Sequence, residues 1–247
     1  MEKQLKIQLR QWAETYNVKS FIPDDPVQFP HRYTVKQDIE ISGFITSWIS
    51  YGRRELILRK ADFLHCQMGN SPFEWLMSEE YDRLTPVISP AGRDTFYRFY
   101  TYSDLRALCS RLKDIYTEYG SMEEALAASP YPNPIHKLQD LFAGINGIPV
   151  MNGTSACKRL AMFLRWMVRG DGIVDFGIWK TAVRPNQLII PLDTHVHQIS
   201  LELGLTVQKQ ATLKTALEIT AALSHVFPDD PCLGDFALFG YDINKAK

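Results

Sequence analysis

Cysteine is scarce in this 247-residue chain: Cys66, Cys109, Cys157 and Cys232 lie far apart. They form no CxxC pair and no zinc spacing, so reduced cytosolic thiols are the simplest account. Net charge is scarce as well. Lys and Arg total 27 against 28 Asp and Glu, leaving −1. No global field therefore draws the chain to nucleic acid, and only local basic patches could do so. Long apolar runs are missing too. None approaches the roughly 18 residues of a membrane span, and no secretory signal is visible. A cytoplasmic protein without a membrane partner is expected. There is no internal repeat, no low-complexity segment and no convincing alternating strand run. The remaining features are an ordinary globular composition, 45% hydrophobic, and a length sufficient for one large domain or two lobes. The fold class expected is all-α, a helical array.

Gln4–Tyr16 reads as an opening helix. Phe21–Tyr33, carrying Pro23, Pro26 and Pro30, reads as a loop that cannot be helical. A long helix starts near Gln37 or Asp38, with Ile41, Phe44, Ile45, Trp48 and Ile49 at helical spacing on its buried face. Ser50-Tyr51-Gly52-Arg53-Arg54-Glu55 interrupts it before a second helix. Arg93–Tyr100 interleaves arginine with aromatics. That pattern suits nucleic acid, although a packed helix–helix joint is the favoured reading. Ser103–Tyr119 is amphipathic, bounded by Ser103 and Gly120, and Ser121-Met122-Glu123-Glu124 is a capping box for the next helix.

Two later stretches carry candidate chemistry. In Gly144–Arg169, glycines and asparagines mark a loop, and Thr154 or Ser155 can cap the helix that follows. One face of that helix is apolar: Ala156, Leu160, Phe163, Leu164 and Met167. Lys158, Met162, Arg165 and Arg169 share another face. A first-turn lysine meets the positive end of the helix dipole, which disfavours the ammonium and favours a nucleophilic amine. A plain surface lysine is the alternative. The second stretch is Leu188–Leu205, LIIPLDTHVHQISLELGL, in which an apolar run ends at Pro191 and Asp193 opens a short helix closed by Gly204. The helix start keeps Asp193 ionised; a simple helix cap is the alternative.

An apolar run entering Asp-Thr-His-x-His also occurs in amidohydrolases, where both histidines bind metal on the first strand of a (β/α)8 barrel. Such a barrel needs most of its length after the motif. Here the motif is late and only His225 follows it, so this reading fails. PLDTHVHQISLELGL instead resembles the late motif of the helix-hairpin-helix DNA glycosylase superfamily, Val-Asp-Thr-His-Val followed by a short helix ending Leu-Gly-Leu. SYGRRE resembles that superfamily's early polar turn, without its glutamine. Lys158 followed by Asp193 keeps the order of the family's lysine nucleophile and aspartate. The glycine hairpin is longer and lacks the Gly-x-Gly-Lys wording, the lysine–aspartate interval is expanded by GDGIVDFGIWKTAVRPNQ, and the four-cysteine iron–sulfur loop of some members is missing. MFLRWMVR, DFGIW and PLDTHV also resemble an uncharacterised bacterial family.

The resemblance spans roughly residues 38–241 and implies two helical lobes with a cleft between them: a central lobe over about 36–150, and a second lobe made of 1–35 with 151–247. It implies Lys158 and Asp193 as catalytic residues. Tyr51, Arg53, Arg54, Arg165 and Arg169 are the candidate DNA contacts. Trp166, Phe176 and Trp179 are candidates for a flipped-base pocket, with core packing as the alternative role of each. The function implied is excision of a damaged base from duplex DNA, with lyase activity if Lys158 attacks the sugar. No cofactor and no metal site at Asp193, His195 and His197 are expected, and the protein is expected to be a monomer. The alternative is a catalytically silent nucleic-acid-binding relative.

Overall fold

The computed structural model describes residues 2–85 and 94–245, with residues 243 and 244 described by their backbone alone. Helices α1 (Lys3–Tyr16), α2 (Lys36–Ile49), α3 (Arg54–Met68) and α4 (Pro72–Met77) come first. A hairpin of β1 (Thr95–Tyr97) and β2 (Tyr100–Thr101) leads into α5 (Tyr102–Glu118). Then follow α6 (Met122–Ala128), α7 (Pro134–Leu141) and α8 (Lys158–Val168). The chain ends with α9 (Thr194–Glu202), α10 (Leu213–Ser224) and α11 (Gly234–Lys245). The fold is all-α, and this hairpin is its only sheet among the described residues.

The chain divides into two compact units. The first contains Met1–Asp24, Pro132–Ile135 and Met151–Lys247. Its centre is α8, whose Leu160, Phe163, Leu164 and Met167 are buried as their spacing predicts. Each such side chain contributes about 1.5–3 kcal/mol by leaving water. Helix α1 lies along α11, with Trp12 edge-on to Tyr241 at 5.3 Å and Tyr16 to Phe239 at 5.6 Å. A Cβ at Gly240 would overlap the Tyr16 ring, so glycine is what lets the helices approach.

The second unit contains Asp25–Tyr131 and His136–Val150. Helix α2 buries Ile41, Phe44, Ile45, Trp48 and Ile49. Phe44 stacks on Phe142 and Trp48 on Tyr100, each pair at 4.0 Å between centroids. The Glu40 carboxylate is fully buried yet accepts from Tyr116 Oη at 2.8 Å and the Met122 amide at 3.0 Å. Those donors offset the cost of taking a carboxylate out of water.

Several local expectations are corrected. The stretch Thr95–Thr101 is a tight antiparallel hairpin rather than a helix joint. Its strands are too short to show a period, and Arg98 occupies the left-handed region at φ 56° to make the turn. Arg93, the first residue of that arginine-and-aromatic segment, lies outside the described residues. Phe21–Tyr33 contains short 3-10 turns, including Pro26–Gln28 and Pro30–Arg32. Proline at the first position of such a turn loses no hydrogen bond. Helix α5 is capped by Thr101, not Ser103, in a reciprocal box with Asp104. Helix α8 starts at Lys158 after Cys157, and neither Thr154 nor Ser155 caps it; Ser155 Oγ accepts instead from the Cys157 amide at 3.1 Å.

Candidate active site

Asp193 and Lys158 stand at the starts of two helices of the first unit. Asp193 is the N-cap of α9, and its Oδ1 accepts from the Val196 amide at 2.9 Å. This three-residue reach is the ordinary cap geometry. Its Oδ2 lies 3.2 Å from Lys158 Nζ, at the first position of α8. The carboxylate is thus divided: one oxygen is fixed by backbone, and the other faces an amine. Both side chains keep about a third of their surface exposed, so a ligand can reach them.

The two histidines after Asp193 go elsewhere. His197 is buried, with Nε2 2.7 Å from the Gln208 carbonyl oxygen. His195 is exposed, and its Nδ1 lies 3.9 Å from Asp242 Oδ2. Among the described residues no group of three or more His, Cys, Asp or Glu is arranged to hold a metal.

Behind the Lys158–Asp193 pair, the same face of α8 enters a buried ion network. Arg165 pairs with Asp235 and, through Nε, with Asp175 at 3.3 Å. Arg169 binds Asp175 at 3.0 Å, Asp171 at 2.6 Å and Asp230 at 2.7 Å. Both guanidinium groups also lie over the Phe236 ring, at 4.8 and 5.3 Å. Asn17 donates to Asp171. Burial pushes the Asp175 and Asp230 carboxyls above the usual range despite the neighbouring arginines. Asp235 is pushed up to about 6, first by burial, with Arg165 opposing and Asp193 adding to the rise.

This network overturns two expected DNA contacts. Arg165 and Arg169 are only 5% and 3% exposed, so neither can reach a phosphate. Their partners come from the GDGIVD insertion, from Asp230 in the turn before α11 and from Asp235 at the start of α11, which helical spacing on α8 alone could not reveal. The expected base pocket is corrected in part. Trp166 and Trp179 are sealed in the core, at 0% and 1% exposure. Trp179 packs edge-on against Phe163 at 5.4 Å, and its amide donates to the Met167 carbonyl at 2.9 Å. Neither indole can stack on a base. Phe176 is the one member that remains partly exposed. The insertion folds back along α8, with Gly170 and Gly177 so close that a Cβ on either would overlap the other's Cα.

In the second unit, Arg53 and Arg54 are exposed where α3 begins. Arg53 lies 3.8 Å from Glu55, a contact open to solvent on both sides that does little to hold the arginine. Tyr51 stacks on Phe99 at the hairpin tip, at 4.6 Å, with the Arg98 guanidinium 5.2 Å from its ring centroid. Phe99 is 64% exposed. Phe96, Tyr97 and Tyr100 of the same hairpin are buried, so the segment divides into a packing side and an open tip. Arg98 and Phe99 belong to the Arg93–Tyr100 segment, whose alternation of aromatics with arginine is the signal in the sequence.

No curated protein and no solved structure matches this chain. One family model does, over residues 25–244, a span that includes the hairpin, Lys158, Asp193 and the buried network; the chain belongs to that family, described as a protein of unknown function, DUF2400.

Proposed function

We propose that this protein is a DNA glycosylase of the helix-hairpin-helix type that excises a damaged base, with Lys158 as the nucleophile. The observation that carries this reading is the 3.2 Å approach of Lys158 Nζ to Asp193 Oδ2, while the other carboxylate oxygen is fixed by the α9 amide. Asp193 can take a proton from the Lys158 ammonium. The freed amine then forms a bond to C1′ of the sugar as the bond to the base breaks, its electron pair leaving with the base, which takes up the proton that Asp193 accepted. With that proton passed on, the Asp193 carboxylate stabilises the positive charge that develops on the sugar. Breaking of the C1′–O4′ bond as one amine proton moves to O4′, and loss of the second amine proton, give an imine, the species that permits lyase chemistry. The target nucleotide must be flipped out of the stack.

DNA contacts are assigned to the second unit: Arg53 and Arg54 for phosphate, and the Tyr51–Phe99 pair with Arg98 for stacking on unpaired bases. Borohydride trapping on a panel of damaged duplexes tests the proposal, with Lys158→Ala as the control. A silent DNA-binding relative is the second reading. It is favoured by the exposed Arg53, Arg54 and Phe99 surface, which needs neither Lys158 nor Asp193. Firm duplex binding with no processed lesion would select it.

A further inference from the structure

Lys60, on α3 of the second unit, holds an unusual place. Its ammonium lies over two rings, 4.6 Å from the centroid of buried Phe96 and 4.8 Å from that of Phe63. Among the described residues it makes no ion pair or hydrogen bond. Burial alone pushes its pKa below the ordinary lysine value, with no carboxylate raising it. The aromatic faces offset part of the cost of drying a cation. An incoming anion would offset more.

The surroundings suit one. Lys60 lines a cavity of about 440 Å3 together with Arg83, Gln67, Thr85, Thr95 and Phe63. Its lining therefore includes two cations, an amide and the three hydroxyls of Thr85, Thr95 and Tyr102, with no acid among the described residues. Gln67 follows Lys60 by seven residues on the same helix, so both side chains share a face. Arg83 is exposed and also makes no ion pair among the described residues. Its neighbour Asp82 lies instead by Arg106, at 3.7 Å. Phosphate oxygens are matched by this combination: a guanidinium fork, an ammonium and neutral donors lining one hollow. The volume leaves room for the group that carries the phosphate.

We propose that this cavity is a phosphate-binding site, with Lys60 and Arg83 as its cationic partners. The phosphate belongs either to a nucleic-acid backbone or to a small phosphate ester. The assignment does not depend on the chemistry of Lys158.

Thermal unfolding of the full chain in sodium phosphate, against sodium chloride at matched ionic strength, tests it. Inorganic phosphate at about ten times its dissociation constant should raise Tm by about 4 °C. The rise should vanish in Lys60→Gln/Arg83→Gln. It should persist in Lys60→Arg, which keeps the charge, and in Lys158→Ala. Circular dichroism of the double variant confirms its fold. A second arm titrates undamaged duplex DNA. If the double variant binds duplex with a salt slope shallower by about two, the phosphate is that of nucleic acid. If duplex binding is unchanged while protection by phosphate is lost, the ligand is a small phosphate ester. No protection of the parent protein, or equal protection of the double variant, overturns the proposal.

Discussion

Arg169 and Asp175 meet at 3.0 Å with almost no water around either, the two side chains being 3% and 0% exposed. Asp175 also serves Arg165, so one carboxylate holds two guanidinium groups in the core. Removing one partner of such a group leaves a charge that cannot be rehydrated in place. Asp175→Ala should therefore destabilise the protein by about 3–5 kcal/mol, a fall in Tm of roughly 10 °C. Thermal unfolding measures it; a fall of only 1–2 °C would show that the network contributes little.

The acid side of the stability curve has opposing contributions. Asp235 has its pKa raised to about 6, so the folded protein holds this proton more tightly than the unfolded chain does. Its contribution is most favourable below about pH 4 and is lost as pH rises through about 6. His65, buried and bonded to Ser42 and to the Ala61 carbonyl, is lowered to about 4. Its contribution is present above the unfolded value of about 6.5 and is lost as pH falls through about 4. Each is worth about 3 kcal/mol across its window. Denaturant unfolding from pH 4 to 7 should show stability rising more steeply with pH in Asp235→Asn than in the parent. An unchanged slope would remove Asp235 from the account.

Arg53 and Arg54 are exposed at the start of α3, and Phe99 is exposed at the hairpin tip. Replacing both arginines with alanine should weaken duplex binding and make the plot of log affinity against log salt shallower by about two. Phe99→Ala should weaken binding to DNA with an unpaired base by about 1–3 kcal/mol and leave the salt slope alone. If the double arginine variant binds as the parent does, SYGRRE is only a turn.

Much of the scaffold is legible in the sequence for a simple reason. Ile41, Phe44, Ile45 and Trp48 recur at helical spacing, and that spacing is the geometry of one buried face. Ser121 and Asp193 are readable as caps because a cap acts within three residues of itself. Partners far along the chain are not readable in this way. The spacing of Lys158, Arg165 and Arg169 shows a shared face but not what lies opposite. Asp175, Asp230 and Asp235 turn the inner part of that face into core, while Lys158 at its outer end stays open. The hairpin was hidden because three residues of β1 cannot display a period of two.

Asp193 has two separable roles. Asn caps a helix as well as Asp does, so Asp193→Asn should keep the Val196 bond, the fold and duplex affinity. It cannot accept the Lys158 proton or stabilise a positive sugar. Base release should slow by about 100-fold or more, measured in single-turnover assays. Release at the parent rate would reduce Asp193 to a cap.

The most direct test of Lys158 as nucleophile is borohydride trapping of the intact protein on duplexes carrying single damaged bases. Attack by the Lys158 amine produces an imine, and reduction fixes protein and DNA as one species on a denaturing gel. A crosslink is expected with at least one lesion, with its loss in Lys158→Ala and an unchanged fold, because a partly exposed first-turn lysine contributes little to packing. A crosslink of equal yield in Lys158→Ala would contradict it.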